Sequence, residues 1–245
     1  IASSCPVLSG IHFPAHSPIL PFCTYLFGVC HGGSSETWSF QRALFDGTAH
    51  SAVSSVGRFR LRSCSLMLMS CFDIHTHQIP LSSTDRAVYA CTMQDVAGAG
   101  EVQYRSVGIH PWYLTEANAE EQLQWLYQAV KQPDVVAVGE CGLDELRGAS
   151  MSLQQEVFRA CISLAEQMHL PLVVHAVKCT EELFRIHKEL KPQMPWIIHG
   201  FRGRKEVAEQ YLKRGFYLSF GEHFHDEALR STPLERLLLE TDESR

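Results

Sequence analysis

The chain has 245 residues, of which 45% are hydrophobic and 20% are charged, and this composition is typical of a globular protein with one sizeable core. Its formal net charge is −6, so it lacks the broad basic surface expected of a protein that holds nucleic acid through many phosphates. Any phosphate ligand would be held locally, and a metal ion is the expected means.

The nine cysteines include no CxxC pair, which argues against a disulfide-rich secreted scaffold and against a zinc ribbon. Reduced thiols in the cytoplasm fit this pattern better. Prolines interrupt the apolar N-terminal segment and no basic stretch precedes it, so no signal peptide is predicted. No run of eighteen uninterrupted apolar residues occurs, so no membrane partner is predicted. A cytoplasmic monomer is the working expectation.

Residues 1–68 mix Ser, Gly, Pro, Cys and His without the period of a strand or of a helix. We predict that they form a poorly structured N-terminal extension, and a small N-terminal domain is the alternative. Residues 69–245 differ, because short β-rich runs alternate with helical patterns there. This alternation predicts βα units and a mainly parallel sheet.

Eight β-rich runs can be counted, and eight is the number of strands that closes a TIM barrel. The predicted fold class is therefore an α/β protein with a (β/α)8 barrel. The runs are Cys71–His75, Ala87–Cys91, Tyr104–Ile109, Val135–Gly139, Leu172–His175, Trp196–His199, Tyr217–Phe220 and Leu237–Glu240. Helical patterns separate the later runs and cover Glu116–Lys131, Leu153–His169, Thr180–Leu190 and Arg204–Arg214.

The first and last units of this barrel are expected to be incomplete. Only residues 76–86 separate the first run from the second, with no clear helical pattern, although a full crossover usually needs at least ten to twelve residues. The early βα units are therefore predicted to be abbreviated. The chain stops at Arg245, shortly after the last run, so a final helix is predicted to be missing through C-terminal truncation.

Two histidines in the stretch FDIHTHQIP, at the end of the first run, could bind a metal. Side chains two residues apart in a strand point to the same face, so His75 and His77 can direct both imidazoles to one point. With thirteen histidines in the chain, such a pair also arises by chance. Two surface histidines in a loop are the alternative.

Further metal-competent side chains follow later apolar runs in the same way. In a parallel βα barrel, the carboxyl ends of the strands converge on one mouth, where such enzymes place their chemistry. Each side chain could separately be a helix cap or a hydrogen-bonded core residue, but the coincidence would then occur at five separate strand ends. We therefore predict that four more residues share a cavity with the histidine pair: Glu140 after VVAVG, His175 after PLVV, His199 after WII and Asp242 after LLLET.

The mixture of imidazole and carboxylate in this set restricts the metal. It suits Zn, Mn, Co or Fe, and it disfavours Ca. Six protein ligands exceed what one catalytic zinc with an open position needs. Two ions bridged by a carboxylate would use them all.

Motifs spread over residues 71–243 resemble, in order, those of the TatD family of metal-dependent hydrolases, which are amidohydrolase-like TIM barrels: FDIHTH, SVGIHPWY, AVGECGLD, PLVVHAVK, IIHGFRG, YLSFG and LLLETDES. The resemblance implies a DNase-type or related phosphoesterase activity with two divalent cations (Mg, Mn or Zn) and DNA or another phosphodiester as substrate. It also implies a role for each ligand: His75 and His77 would bind one metal, His175 and His199 would bind the second, Glu140 would bridge them, and Asp242 would ligate and orient the attacking water.

The resemblance is less close at positions that would touch substrate, since HAVK and TDES depart from the usual family motifs. Lys178 is a candidate to hold a phosphate, and a solvated lysine is the alternative. Arg202 is a further phosphate candidate. His110 would approach the substrate or orient a ligand. Trp112 and Tyr113 would stack on a base, or else pack the loop over the barrel mouth.

The predicted function is hydrolysis of a phosphodiester by metal-activated water, with Asp242 and Glu140 as the catalytic carboxylates. One alternative keeps the site and changes the bond to another ester or an amide, such as an aminoacyl ester, because the barrel and the metals do not determine the substrate. A second alternative is an inactive fragment that binds metal without turnover.

Overall fold

Eight parallel strands form a closed barrel in the order β1-β2-β3-β4-β5-β6-β7-β8, in a computed structural model that describes residues 72–79, 86–95 and 102–244. The barrel closes where Asp73 of the first strand pairs with Leu239 of the last. This confirms the predicted TIM barrel. The strands are β1 (Asp73–Thr76), β2 (Ala87–Cys91), β3 (Tyr104–Val107), β4 (Val135–Asp144), β5 (Leu172–Val177), β6 (Trp196–Ile198), β7 (Tyr217–Phe220) and β8 (Leu237–Leu239).

Helices lie between the later strands, as the sequence predicted. The helix Thr180–Leu190 has the predicted bounds, and the ends of the other three predicted helices differ by a few residues. A short helix between β7 and β8 was not predicted, because its six residues offer too few turns for a recognisable apolar period. Two 3₁₀ turns, Pro111–Tyr113 and Leu234–Arg236, were also not predicted. The α-helices are α1 (Ala119–Ala129), α2 (Met151–Met168), α3 (Thr180–Leu190), α4 (Lys205–Lys213) and α5 (Asp226–Ser231).

The early βα units are short, in agreement with the sequence prediction. Residues 77–86 separate β1 from β2, and residues 92–103 separate β2 from β3. Within the described parts of these connections, no α-helix occurs before α1. The predicted N-terminal extension, residues 1–68, lies outside the described residues and stays a prediction, as does the truncation expected after β8.

The strand β4 is longer than predicted, and its extra residues reach the centre of the barrel mouth. The sequence predicted an end at Gly139, but pairing with β5 continues, with Gly142 opposite His175. Gly142 has a φ of 151°, and a Cβ there would collide with the His175 carbonyl oxygen. The glycine therefore lets the two strands approach closely beside a candidate ligand.

The apolar core has two parts. The larger part lies between the strands and the helices; in it the Phe158 ring of α2 packs edge-on against Trp196 of β6, with centroids 5.3 Å apart. The smaller part includes Val173 and Ile197, two residues before His175 and His199 respectively. Since alternate residues of a strand share a face, this small cluster packs beneath the ligand layer.

Among the described residues, no helix combines the length and the apolar character needed to cross a lipid bilayer.

Candidate metal centre

The structure brings all six predicted ligands together at the carboxyl ends of the strands, and it adds His110 to them. The group surrounds the Glu140 carboxylate, which lies within β4 and is 3% exposed. The other members come from the ends of β1, β3, β5, β6 and β8: His75, His77, His110, His175, His199 and Asp242.

One carboxylate oxygen of Glu140 faces the histidine pair of β1. Its Oε2 atom lies 3.3 Å from Nε2 of His75 and 3.3 Å from Nε2 of His77. Asp242 approaches the same two nitrogens, because its Oδ1 atom is 3.8 Å from each. Two imidazoles and two carboxylates therefore direct ligand atoms at one point.

The other carboxylate oxygen of Glu140 faces a second set of histidines. Its Oε1 atom lies 2.6 Å from Nδ1 of His175, 2.7 Å from Nε2 of His199 and 2.9 Å from Nε2 of His110. His175 Nδ1 and His199 Nε2 are 3.4 Å apart. Each oxygen of one carboxylate thus belongs to a different histidine group.

Asp242 is held in place by backbone pairing with β1 rather than by the residues that follow it. Its amide donates a hydrogen bond to the His75 carbonyl (3.0 Å), and its carbonyl accepts one from the His77 amide (3.0 Å). Its φ is 55°, in the left-handed region that Asp tolerates better than most residues. This pairing adds one parallel bridge, between Thr76 and Asp242, to the contact between β1 and β8. It places the Asp242 carboxylate beside the histidines.

Asp73, at the start of β1, fixes the same contact between β1 and β8 from behind. Its Oδ1 atom accepts hydrogen bonds from the amides of His75 (3.1 Å) and Thr241 (3.2 Å), and Oδ2 accepts one from the Thr241 hydroxyl (2.7 Å). Burial raises the pKa of the Asp73 carboxyl, although these donors oppose the shift. Asp73 therefore fixes the backbone of the candidate ligand His75 and of Thr241, the residue before Asp242.

The electrostatics of the cluster favour an ionised Glu140. Burial alone would raise the pKa of this carboxyl, but His199, His110 and His175 outweigh it and hold the pKa well below its usual range. Burial would lower the pKa of His199, but Glu140 overrides it and raises that pKa well above its usual value. At His110 burial prevails and the pKa is lowered. The centre is an anionic carboxylate among imidazoles.

The chemistry of this donor set fits divalent cations. His75 is fully buried, and although its Nε2 lies 3.3 Å from Glu140 Oε2, neither ring nitrogen makes a hydrogen bond of acceptable geometry with the residues that the structure describes. A buried imidazole without such a partner is costly unless it serves another purpose, and binding a metal is one. The ligand atoms of three overlapping groups lie within 4.8 Å of one another: His75, His77 and Glu140; His75, His199 and Asp242; and His110, Glu140 and His175.

Two carboxylates that the sequence analysis missed lie behind the ligand histidines. Asp144 Oδ2 is 3.2 Å from Nε2 of His175, on the opposite side of the ring from Glu140. Glu240 Oε1 is 3.5 Å from Nδ1 of His199 and accepts a hydrogen bond from the Gly200 amide. Such partners fix the orientation and tautomer of a ligand histidine. Asp144 lies within the motif GECGLD and Glu240 within LLLETD, and these positions are the sequence feature that could have identified them.

Replacing Asp144 by Asn is expected to weaken binding of Mn²⁺ or Zn²⁺ by about 10–100-fold, the usual effect of losing a carboxylate behind a ligand histidine. The amide oxygen of Asn can replace Oδ1, which accepts the Leu146 and Arg147 amides, so the loop after β4 is expected to persist. The NH2 group would then replace Oδ2, which faces His175 and the Trp112 indole. Calorimetric metal titration measures the change. Asp226→Asn, in the first turn of α5, is the matched control, and an unaltered affinity in Asp144→Asn would contradict the role.

The residues predicted to contact substrate differ in their positions relative to the metal centre. Trp112 and Tyr113 lie on the 3₁₀ turn after β3, with 37% and 46% of their surfaces exposed, and their rings contact His110. Lys178 and Arg202 are exposed and form no ion pair with the described part of the chain. Lys178 lines a groove beside Asp144, whereas Arg202 is not among the residues that line this groove.

The chain was compared with known proteins. The family model described as TatD related DNase matches residues 65–243. The metal-dependent hydrolase YabD of Bacillus subtilis, described as uncharacterized, is 37% identical over 148 residues, which cover 57% of this chain and 58% of YabD. The 3'-5' ssDNA/RNA exonuclease TatD of Pantoea ananatis is 34% identical over 149 residues, which cover 57% of each chain. This chain therefore spans little more than half the length of these curated relatives.

Solved structures give the same result at the level of the fold. The crystal structure of the TatD homologue YJJV from Escherichia coli K12 has a TM-score of 0.56 and 26% identity, and the match covers 71% of this chain and 80% of YJJV. A TatD family hydrolase from Entamoeba histolytica has a TM-score of 0.56 at 19% identity, covering 70% of this chain and 73% of the other, and supports the fold alone. Since the family model spans most of the chain and its motifs carry the clustered residues, the chain belongs to the TatD-related DNase family.

Proposed function

We propose that the chain is a divalent-metal-dependent hydrolase that cleaves phosphodiester bonds in DNA at a centre for two cations. The observation that carries this proposal is the position of Glu140. Its two carboxylate oxygens contact two separate histidine groups, at 3.3 Å on one side and at 2.6–2.9 Å on the other. A bridging carboxylate between two metal ions has this arrangement of neighbours.

Each histidine group would hold one cation, with Mg, Mn or Zn as the candidates. His75 and His77 would bind the first, His175 and His199 would bind the second, and Asp242 would join the first. Cations bound there supply Lewis-acid polarisation of a phosphoryl oxygen and a lowered pKa for water. The positive field is then local, which is compatible with a chain whose net charge is −6.

The protein's own residues would orient the reactants and move the proton. The Asp242 carboxylate is 28% exposed at the mouth, so the oxygen that is not directed at the histidines can reach a water molecule and accept its proton. His110, beside Glu140, would approach the substrate. Lys178 and Arg202 would hold phosphate oxygens as they enter. His175 and His199 are kept oriented by Asp144 and Glu240 respectively.

The names of relatives support nucleic acid as the substrate class. The Pantoea and Citrobacter proteins are named as exonucleases of single-stranded DNA and RNA, while YabD is named only as a metal-dependent hydrolase. The fold and the ligand set are compatible with several ester or amide bonds, so the bond itself must be tested.

We expect chelator-treated protein to leave single-stranded DNA intact and to recover cleavage on addition of Mg²⁺ or Mn²⁺, with a difference of at least about 100-fold. Oligonucleotides labelled at either end, analysed by gel electrophoresis, report both the rate and the polarity. His75→Ala is expected to abolish the recovery, and His223→Ala, an exposed histidine outside the cluster, serves as its control. Cleavage that is independent of metal would refute the proposal, and hydrolysis confined to an aminoacyl ester would reassign the substrate.

A further inference from the structure

A groove of about 680 Å³ adjoins the metal centre on the side of β4 and β5. Its wall includes Asp144, whose carboxylate contacts His175, so the groove begins at a candidate ligand. The loop after β4, the first turns of α2 and the start of α3 also line it, and they include Arg147, Lys178 and Thr180. A chain that reaches the metals through this groove would therefore pass these side chains.

Arg147 is exposed but held in one place. Its guanidinium carbon lies 4.0 Å from the centroid of the Trp112 ring, and its amide donates a 3.1 Å hydrogen bond to Asp144 Oδ1. Trp112 is itself fixed, since its indole N–H donates to Asp144 Oδ2 at 2.6 Å. Gln154 donates to the Arg147 carbonyl at 3.2 Å and braces the loop. The side chain therefore keeps a defined position although it faces solvent.

The donors of this guanidinium remain available. Among the residues that the structure describes, Arg147 forms no ion pair and no side-chain hydrogen bond. Stacking occupies one face of the planar group and leaves its N–H edge free, which is the geometry that binds a phosphate through two parallel hydrogen bonds. Lys178 lines the same groove, also without an ion pair to the described residues, and adds a second cation.

The groove is not cationic as a whole. Glu145 and Glu181 line it too and are exposed, and Glu182 is paired with Arg185. A general attraction for polyanions is therefore not expected here. A phosphate would instead be bound by directional hydrogen bonds from the planar Arg147 guanidinium, in the position that its stack on Trp112 gives it.

Arg147 is linked to the candidate ligand His175 through a single side chain, Trp112, which contacts both. The centroid of the Trp112 ring is 5.5 Å from that of the His175 ring and 4.0 Å from the Arg147 guanidinium carbon. We propose that Arg147 binds the phosphate of the nucleotide next to the cleaved bond, assisted by Lys178. This inference rests on the proposed phosphodiesterase function and assigns to it a residue that holds the substrate strand.

Binding of a fluorescent tetradeoxynucleotide with phosphorothioate linkages, which resist cleavage, tests the inference by anisotropy in the presence of Mn²⁺. Arg147→Ala is expected to raise the dissociation constant by about tenfold, and Arg147→Lys is expected to show most of this loss, because a point charge lacks the planar fork. Thermal melting verifies that both variants fold. If Arg147→Ala does not fold, the lysine variant decides.

The control is Arg236→Ala, which removes another arginine stacked on an aromatic ring, that of Tyr217 at 4.4 Å, at the amino end of the barrel. It is expected to leave binding unchanged. A dinucleoside monophosphate used as competitor carries a single phosphate, and its affinity relative to the tetranucleotide should rise in Arg147→Ala. Equal affinity of wild type and Arg147→Ala, or an equal loss for both ligands, overturns the inference. Failure of the proposed function is seen separately, as wild-type protein that binds the strand and cleaves no unmodified DNA.

Discussion

Glu140→Gln is expected to lower the rate of metal-dependent DNA cleavage by about 10³-fold or more, because a bridging carboxylate contributes to both cations and to the charge they stabilise. The substitution keeps the shape of the side chain and removes its negative charge. Both oxygens contact imidazoles, so the loss is expected at both histidine groups at once. Few other single substitutions in the cluster would affect both groups.

The measurement combines the cleavage rate with the number of bound cations, determined by calorimetry or by elemental analysis of the purified protein. We expect Glu140→Gln to retain at most one weakly bound cation. Glu156→Gln changes an exposed carboxylate of α2 in the same chemical way and is expected to alter neither quantity. Two tightly bound cations in Glu140→Gln would contradict the bridging role, whatever the rate.

The strands were predictable from the sequence because each one is a short apolar run. β2 and β7 have the predicted bounds. β4 was predicted too short, since the charged Glu140 and Asp144 and two glycines break its apolar pattern. These residues continue the strand because they pair with β5 at the barrel mouth. A local pattern does not contain this pairing, because β5 follows β4 in the chain only after the helix α2.

The candidate ligands were predictable because each follows an apolar run at the same end of a strand. The residues behind them were not, since their roles depend on which side chain of another strand they meet. Asp144 meets His175 across the β4–β5 pair, and Asp73 meets Thr241 across the seam that closes the barrel. Neither contact follows from spacing along the chain, and both require the three-dimensional register.

Lys178 was predicted as a phosphate ligand and Arg147 was not, and the reason is again that a tertiary contact is not visible in the sequence. Lys178 was predicted from its place after the HAV of β5, while Arg147 lies in a loop without a periodic pattern. The value of Arg147 as a phosphate ligand comes from its stack on Trp112, a residue on the connection after β3. The contact exists because Asp144 binds both the Trp112 indole and the Arg147 amide.

The support of the candidate ligand Asp242 could not be foreseen from spacing along the chain, because it comes from the strand at the start of the barrel. The His75 carbonyl accepts a hydrogen bond from the Asp242 amide, and the His77 amide donates one to the Asp242 carbonyl. The Thr76 hydroxyl also donates to its carbonyl at 3.3 Å. Asn tolerates the left-handed backbone of this position as Asp does, so Asp242→Asn is expected to keep the seam intact.

Asp242→Asn is expected to lower kcat by about 10²–10³-fold, the contribution typical of a positioned proton acceptor, because an amide cannot take the proton of the attacking water. Binding of cations should weaken less than in Glu140→Gln, since Asp242 Oδ1 contacts only the histidines of β1. Steady-state kinetics on single-stranded DNA, together with metal titration, separates the two effects. Asp226→Asn is the control for the chemical change. A variant that loses metal and activity in equal proportion would make Asp242 a ligand alone, whereas lost turnover with retained metal identifies it as the group that receives the proton.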